Sequence, residues 1–168
     1  MVEVPEVFDQ PGAAFVLLPG GIKFPPLEKE WQKKGHSFHE AVAHRGNVGF
    51  LAGNDFIGLD QDDPAAFEGL ELPTPYTKWE TRPGRFGLRF LAVDDVAEAL
   101  ATIGKKPDLA QLKLFTDGLP AGEVKLQRSY QVIPLSWKTL EDGSRADYKM
   151  IDESQPAEIS LKTLLANL

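Results

Sequence analysis

The sequence predicts an α+β fold, a mixed and largely antiparallel sheet flanked by short helices. Three observations carry this expectation. Strand-like and helix-like segments are interspersed along the 168 residues without strict alternation. Many neighbouring strand candidates are joined by loops too short for the crossover that a parallel pair needs. The composition, 42% hydrophobic and 26% charged with 15 Gly and 13 Pro, is that of a loop-rich globular chain and disfavours disorder, collagen and coiled coil. The length suits one domain over residues 1–168, with 149–168 read as a C-terminal helical appendage.

The apolar run Ala13 to Leu18, closed by Pro19-Gly20-Gly21, reads as a first strand ending in a turn, and a proline-rich connector from Phe24 to Leu27 follows. Ser37 with Glu40 three residues on is a capping-box start for a short helix that Gly46 ends. Asn47 to Ala52 and Phe56 to Asp60, separated by Gly53-Asn54-Asp55, are expected to form a β-hairpin. Pro64 opens a short helix, since proline is comfortable in a first turn. Thr77 to Thr81 and Phe86 to Leu91 form a second hairpin around Arg82-Pro83-Gly84-Arg85. Asp94-Asp95 caps an amphipathic helix that places Val96, Ala99, Leu100 and Ile103 on one face. Strands at Gln111 to Thr116, Glu123 to Leu126 and Tyr130 to Ile133 follow, and Ile159 to Leu168 is a final helix.

The chain has no cysteine, which removes disulfides, thiolate nucleophiles, zinc fingers and iron-sulfur clusters together. No apolar run approaches the roughly 18 to 20 residues of a membrane span, and Met1 to Glu6 is acidic where a signal peptide is basic. A cytoplasmic location without membrane partners is therefore expected. The formal charge of −7 has the wrong sign for a domain that coats duplex nucleic acid.

Leu59-Asp60-Gln61-Asp62-Asp63 is the most charged short segment. On a strand, residues i and i+2 share a face, so Asp60 and Asp62 present paired carboxylates at the end of a hydrophobic strand. Such a pair is costly unless a divalent cation neutralises it; the competing reading is a solvated turn with Asp63 as the cap before Pro64. An EF-hand is excluded by Pro64 and Ala65, which stand where a ligand and an obligatory glycine belong. The histidines His36, His39 and His44 cluster around Glu40, but His39 and His44 are five apart, which turns them about 140° from each other on a helix, and they read as surface polar residues. Leu18 to Lys23 lacks the Gly-Lys-Ser/Thr ending of a phosphate loop, and neither a Gly-x-Gly-x-x-Gly nor a Gly-x-Ser-x-Gly motif is present. Basic residues gather at Lys78, Arg82, Arg85 and Arg89 in the second hairpin, and at Lys125 and Arg128. Lys125 shares a strand face with Glu123, a cation beside a carboxylate that reads equally as ordinary pairing within a sheet.

In this order the features resemble the bifunctional primase-polymerase (prim-pol) domain of plasmid, viral and archaeal replication proteins, a relative of the archaeal-eukaryotic primase small subunit. The resemblance runs from about Phe15 to Tyr148. It is carried by Leu18 to Pro25 with Trp31 shortly after, Asn47 to Gly53, the acidic strand Phe56 to Pro64, Leu72-Pro73-Thr74, Thr77 to Thr81, and the glycine-containing strand Gly84 to Phe90. Glu123-Val124-Lys125, Tyr130 to Ser136, Gly143 and Tyr148 complete it. It implies a primase-like fold with an RRM-like core. It further implies that Asp60, Asp62 and Glu123 hold two Mg²⁺ or Mn²⁺ ions, and that Lys125 lies near the phosphates of an incoming nucleoside triphosphate with Ser136 in the nucleotide pocket. Two ions of this kind activate an attacking 3′-hydroxyl and stabilise leaving pyrophosphate, and hard cations want oxygen ligands.

The sequence departs from the family at two places. The usual Ser-x-His or Gly-x-His element is absent from Arg85 to Phe90, where Gly87 or Arg89 takes its place, and Leu135 stands where a second proline is usual. An arginine binds phosphate bidentately, so Arg89 is expected to supply the missing contact, and Arg85 is a further nucleotide-binding candidate. The expected function is template-dependent primase/polymerase nucleotidyl transfer. The alternative is a catalytically weakened prim-pol-like module that binds nucleic acid or a replication partner. Lys78, Arg82 and Arg128 are the remaining candidates for gripping single-stranded or primer-template DNA. With so little basic surface that grip is expected to be weak and salt-sensitive, and to depend on a helicase or other replication module, fused or separate.

Overall fold

The structure is a computed structural model that describes residues 4–33 and 35–168. Among the described residues the chain forms β1 (Ala14–Leu18), α1 (Phe38–Ala43), β2 (Asn47–Leu51), β3 (Phe56–Gln61), β4 (Thr77–Arg82), β5 (Arg85–Ala92), α2 (Val96–Ala101), β6 (Gln111–Thr116) and β7 (Leu119–Lys125). These are followed by β8 (Tyr130–Val132), β9 (Trp137–Thr139), β10 (Arg145–Asp147), β11 (Lys149–Glu153), β12 (Ala157–Ile159) and α3 (Leu161–Ala166). Single 3₁₀ turns occupy Glu6–Phe8 and Pro64–Phe67, the latter opened by Pro64 as expected. No helix of the described residues is long and apolar enough to cross a membrane.

The main sheet has the order β11-β4-β5-β3-β7-β6, antiparallel throughout, while β12 pairs parallel to β5 beyond the point where β4 ends. A second sheet has the order β1-β2-β8, and β9 pairs with β10. Strand alternation divides the main sheet into two faces. Ile57, Leu59, Leu88, Phe90 and Val124 join Ala99, Leu100, Leu161, Leu164 and Leu165 of α2 and α3 in one core. The opposite face contributes Phe56 and Trp79 to a second core with Phe15, Val16, Val48, Phe50 and Val132 of the small sheet. The result is three layers: helices, main sheet, small sheet.

Two glycines let the small sheet approach. A Cβ on Gly87 would lie 2.5 Å from the Trp79 ring, and one on Gly58 would lie 2.0 Å from Gln131 Oε1. Trp79 lies over Gly87 and donates from Nε1 to the Val132 carbonyl at 3.1 Å, while Gln131 of β8 reaches down over β3. These two contacts bring β8 against the strand that carries Asp60.

The expected hairpin between Asn47 to Ala52 and Phe56 to Asp60 does not form. β2 is occupied on both edges by β1 and β8, and β3 by β5 and β7. Both segments are apolar enough to be buried on both faces, so each takes a central position. The Gly53-Asn54-Asp55 turn, whose three residues all have positive φ, carries the chain from one sheet to the other.

Asp95 caps α2 by accepting from the Glu98 N–H at 3.0 Å, but Asp94 belongs elsewhere. Its carboxylate accepts from the N–H groups of Leu161 (2.6 Å) and Lys162 (2.9 Å), the first turn of α3. Nor are residues 149–168 a helical appendage. β11 and β12 extend the main sheet, and only α3 is helical. Burial pushes the Asp94 carboxyl up, yet the Lys162 and Leu161 N–H groups outweigh it and hold it below its ordinary value. The stabilisation is therefore full above a carboxylate's unfolded pKa of about 4 and fades as pH falls through the lower folded value. Asp94→Ala is expected to cost about 1–2 kcal/mol in urea denaturation at neutral pH, with the gap to wild type closing in acid.

Candidate active site

β3 and β7 run antiparallel in a register that places Asp60 opposite Glu123. Asp60 follows Gly58 by two residues and Lys125 follows Glu123 by two, so all four positions share the face turned toward the small sheet. Asp62 lies one step past the end of β3. These strands form the floor of a cleft of about 530 Å³, and its lining includes Asp60, Asp62, Glu123, Lys125, Arg82 and Arg128. Tyr130 and Gln131 of β8 form one side, and Lys23, Phe24 and Trp31 of the connector after β1 form the rim. Trp31 stands edge-on to Tyr130 at 5.0 Å.

The acidic groups are held by specific partners. Gln131 Nε2 donates to Asp60 Oδ1 at 2.6 Å. Lys125 Nζ donates to Glu123 Oε2 at 2.6 Å and to Gln111 Oε1 at 2.8 Å. Arg85 Nη1 lies 3.9 Å from Asp62 Oδ1, with both side chains substantially exposed, a pairing worth little in solvent. Burial at the cleft floor pushes the Asp60 carboxyl up to about 6; Lys125 and Gln131 oppose the shift, while Glu123 and Asp62 add to it. Asp63 stands at the cap position before Pro64 but makes no side-chain cap bond, so the capping account does not explain the acidic run.

Asp60, Asp62 and Glu123 are oxygen donors of the type a hard divalent cation takes. As they lie, Glu123 is turned to Lys125, and no three acidic or histidine side chains of the described residues surround one point. The donor chemistry is of the kind a divalent ion takes, while the counter-charge at Glu123 is Lys125.

Four predicted site residues do not line this cleft: Arg85 stands beside it on Asp62, and three lie elsewhere. Arg89 is fully buried on the same sheet face, under the small sheet, with its guanidinium 3.9 Å from the Phe50 ring centroid and 4.2 Å from that of Phe56. Its Nε, Nη1 and Nη2 have no hydrogen-bond partner among the described residues. It reads as a phosphate ligand in sequence because an arginine on a short strand gives no sign that another sheet will cover it. Ser136 is also buried, and accepts from the Val48 N–H at 3.0 Å. It closes a turn against β2 and does not line the cleft. Leu135 before it has φ 79°, which proline, with φ near −65°, does not adopt. Lys78 points to the other face of β4 and lies over Phe86 at 4.2 Å.

Burial drives the Arg89 guanidinium down to about 9, a cost that the aromatic rings offset only in part. Arg89→Met keeps the length and removes the charge, and is expected to leave stability unchanged or raise it by about 1–3 kcal/mol in urea denaturation at pH 7.

Sequence reasoning missed Gln131, Tyr130, Lys23 and Lys138. The polar Gln131 between Tyr130 and Val132, on a strand otherwise expected to be buried, was the available signal. The two lysines become site neighbours only through tertiary contacts. His36, read as a surface residue, is hydrogen-bonded between Glu28 (2.7 Å) and Glu40, clear of the cleft. In comparison with known proteins the chain matches no family model and no curated relative.

Proposed function

We propose that this chain is a metal-dependent nucleotidyltransferase of the primase-polymerase type. On this reading it extends or initiates nucleic-acid strands from nucleoside triphosphates in replication of a plasmid, viral or archaeal element. The observation that carries the reading is the register pairing of Asp60 with Glu123 on a cleft floor, Asp62 two residues on, ringed by Lys125, Arg82, Arg85 and Arg128. Asp60, Asp62 and Glu123 are the groups to hold Mg²⁺ or Mn²⁺. Such ions, when bound, supply charge stabilisation at the attacking and leaving oxygens of phosphoryl transfer. Gln131 orients the Asp60 carboxylate by its hydrogen bond. With a cation on Glu123, Lys125 would be free to pair with a phosphate oxygen. Arg82 and Arg85 stand at the rim as further counter-charges, and Tyr130 and Trp31 offer aromatic surface to a base.

One observation favours the alternative of a weakened binding module. Arg89 is buried and cannot stand in for the family histidine, which leaves that contact to Arg85 or to nothing. Template-dependent incorporation of a labelled nucleotide, with and without Mg²⁺ or Mn²⁺, separates the two. Metal-dependent product is the expected result. Oligonucleotide binding with no incorporation under any metal would establish the module instead.

A further inference from the structure

Lys138 and Lys23 were assigned no role by their sequence context, yet the fold holds them together beside the cleft. The buried Asn47 side chain donates from Nδ2 to the Ile22 carbonyl at 3.0 Å and to the Trp137 carbonyl at 2.7 Å, and accepts from the Trp137 N–H at 3.1 Å. It thereby ties the Gly20–Phe24 loop to β9. Tyr130 Oη donates to the Lys23 carbonyl at 2.5 Å from the cleft side. A second hollow of about 410 Å³ opens between loop and strand, lined by Gly20, Gly21, Ile22, Lys23, Phe24, Lys138 and Thr139. Lys23 and Phe24 line both this hollow and the carboxylate cleft, so the two adjoin.

The charges here are one-sided. Burial lowers the Lys138 ammonium, and Arg82, Lys23 and Arg85 lower it further, with Glu141 opposing. Among the described residues Lys23, Arg82 and Lys138 form no salt bridge, and Arg85 only the long contact to Asp62. Four mutually repelling cations in a chain of net charge −7 are a poor arrangement for stability alone, but a good one for a polyanion. Phe24 stands among them 69% exposed, a large apolar ring presented to solvent where it can stack on a base.

We propose that Lys23, Lys138 and Phe24, with Arg82 and Arg85, form a track for single-stranded nucleic acid that leads along the connector into the carboxylate cleft. The lysines contact phosphates and Phe24 stacks under a base. The polarity of the patch alone suits any phosphate. The exposed ring and the lie of the second hollow, away from Asp60 and Glu123, favour a strand over the triphosphate. This assignment rests on the nucleotidyltransferase reading for its biological sense, but its test is independent of catalysis.

Binding of a fluorescein-labelled oligothymidylate to the full chain is measured by anisotropy in EDTA, without nucleotide, at salt from about 50 to 200 mM. Lys23→Ala and Lys138→Ala are each expected to weaken binding several-fold and to reduce the slope of log K against log salt by about 0.7. Phe24→Ala is expected to weaken it about tenfold with the slope unchanged. Lys162→Ala removes the same charge from α3 on the far layer and is expected to do neither. The proposal is overturned if the two lysine variants match Lys162→Ala. It is equally overturned if they lose binding of a labelled deoxynucleoside triphosphate while keeping the oligonucleotide, because the patch then serves the triphosphate. Failure of incorporation with these binding effects intact would count against the transferase reading and leave the track standing.

Discussion

Asp60→Asn is expected to abolish nucleotide incorporation, by about a thousandfold or more, while making the metal-free protein more stable. The two effects share a cause. Asp60 lies largely buried on the cleft floor, opposite Glu123 and two residues from Asp62, with a folded pKa of about 6 against an ordinary 3.8. For an acid raised in this way the ionised form is disfavoured by folding. The cost is absent below about pH 4, sets in as pH rises, and is complete above about pH 6. At neutral pH it is of the order of 1–3 kcal/mol. Asparagine has the same shape, and its amide oxygen still accepts from Gln131 Nε2, so the variant removes the charge and little else. Urea denaturation across pH 4 to 8 is expected to show the variant and wild type converging at the acid end and the variant ahead at neutrality. On the proposed reading, addition of Mg²⁺ or Mn²⁺ is expected to raise the melting temperature of wild type and not of the variant, since an amide in place of the ionised carboxylate would not hold the cation. Incorporation that survives Asp60→Asn, or a variant less stable than wild type at pH 7, would count against a charged metal-holding site here.

Gly87→Ala is expected to be strongly destabilising, at about 3–5 kcal/mol. The new Cβ meets the Trp79 ring at 2.5 Å, and Trp79 is fully buried, edge-on to Phe8 at 5.4 Å and bonded to the Val132 carbonyl. The indole cannot move outward without opening the second core and lifting β8 from the main sheet, nor stay without overlapping the new Cβ. Gly84→Ala is the natural comparison: it sits in the turn between β4 and β5 with φ 78° and open space around it, and is expected to cost about 1 kcal/mol. Denaturation read by tryptophan fluorescence measures both. Equal effects at the two positions would show that the intersheet contact at Trp79 is not tight. Because β8 also carries Gln131, Gly87→Ala is further expected to weaken incorporation at temperatures where the variant remains folded.

Gly87 also illustrates which features a single sequence reveals. A glycine between Phe86 and Leu88 on a strand signals close approach of another group, but not which group. The resemblance to primase-polymerases places this position where a histidine element belongs, whereas the packing gives it to Trp79. Arg89 is a similar case: its chemistry suits phosphate, and its position under Phe50 and Phe56 denies it access. Conversely, the nearness of Asp60 and Asp62 was legible, because they stand two residues apart at the end of a strand and both line the cleft.

What the sequence determines by itself is local. The capping box at Ser37 and Glu40, the Asp95 cap, the hairpin around Pro83-Gly84, the acidic end of β3 and the Glu123-x-Lys125 pair all follow from spacing of a few residues. Tertiary structure alone decided the pairing of β2 with β8 and of β3 with β7, the recruitment of residues 149–159 into the main sheet, the transfer of Asp94 to α3, and the meeting of Lys23 with Lys138. The physical reason is common to all of them. Each depends on which sheet edge or helix end remains unsatisfied once the two cores have closed, and that is a property of the whole chain, not of any short stretch of it.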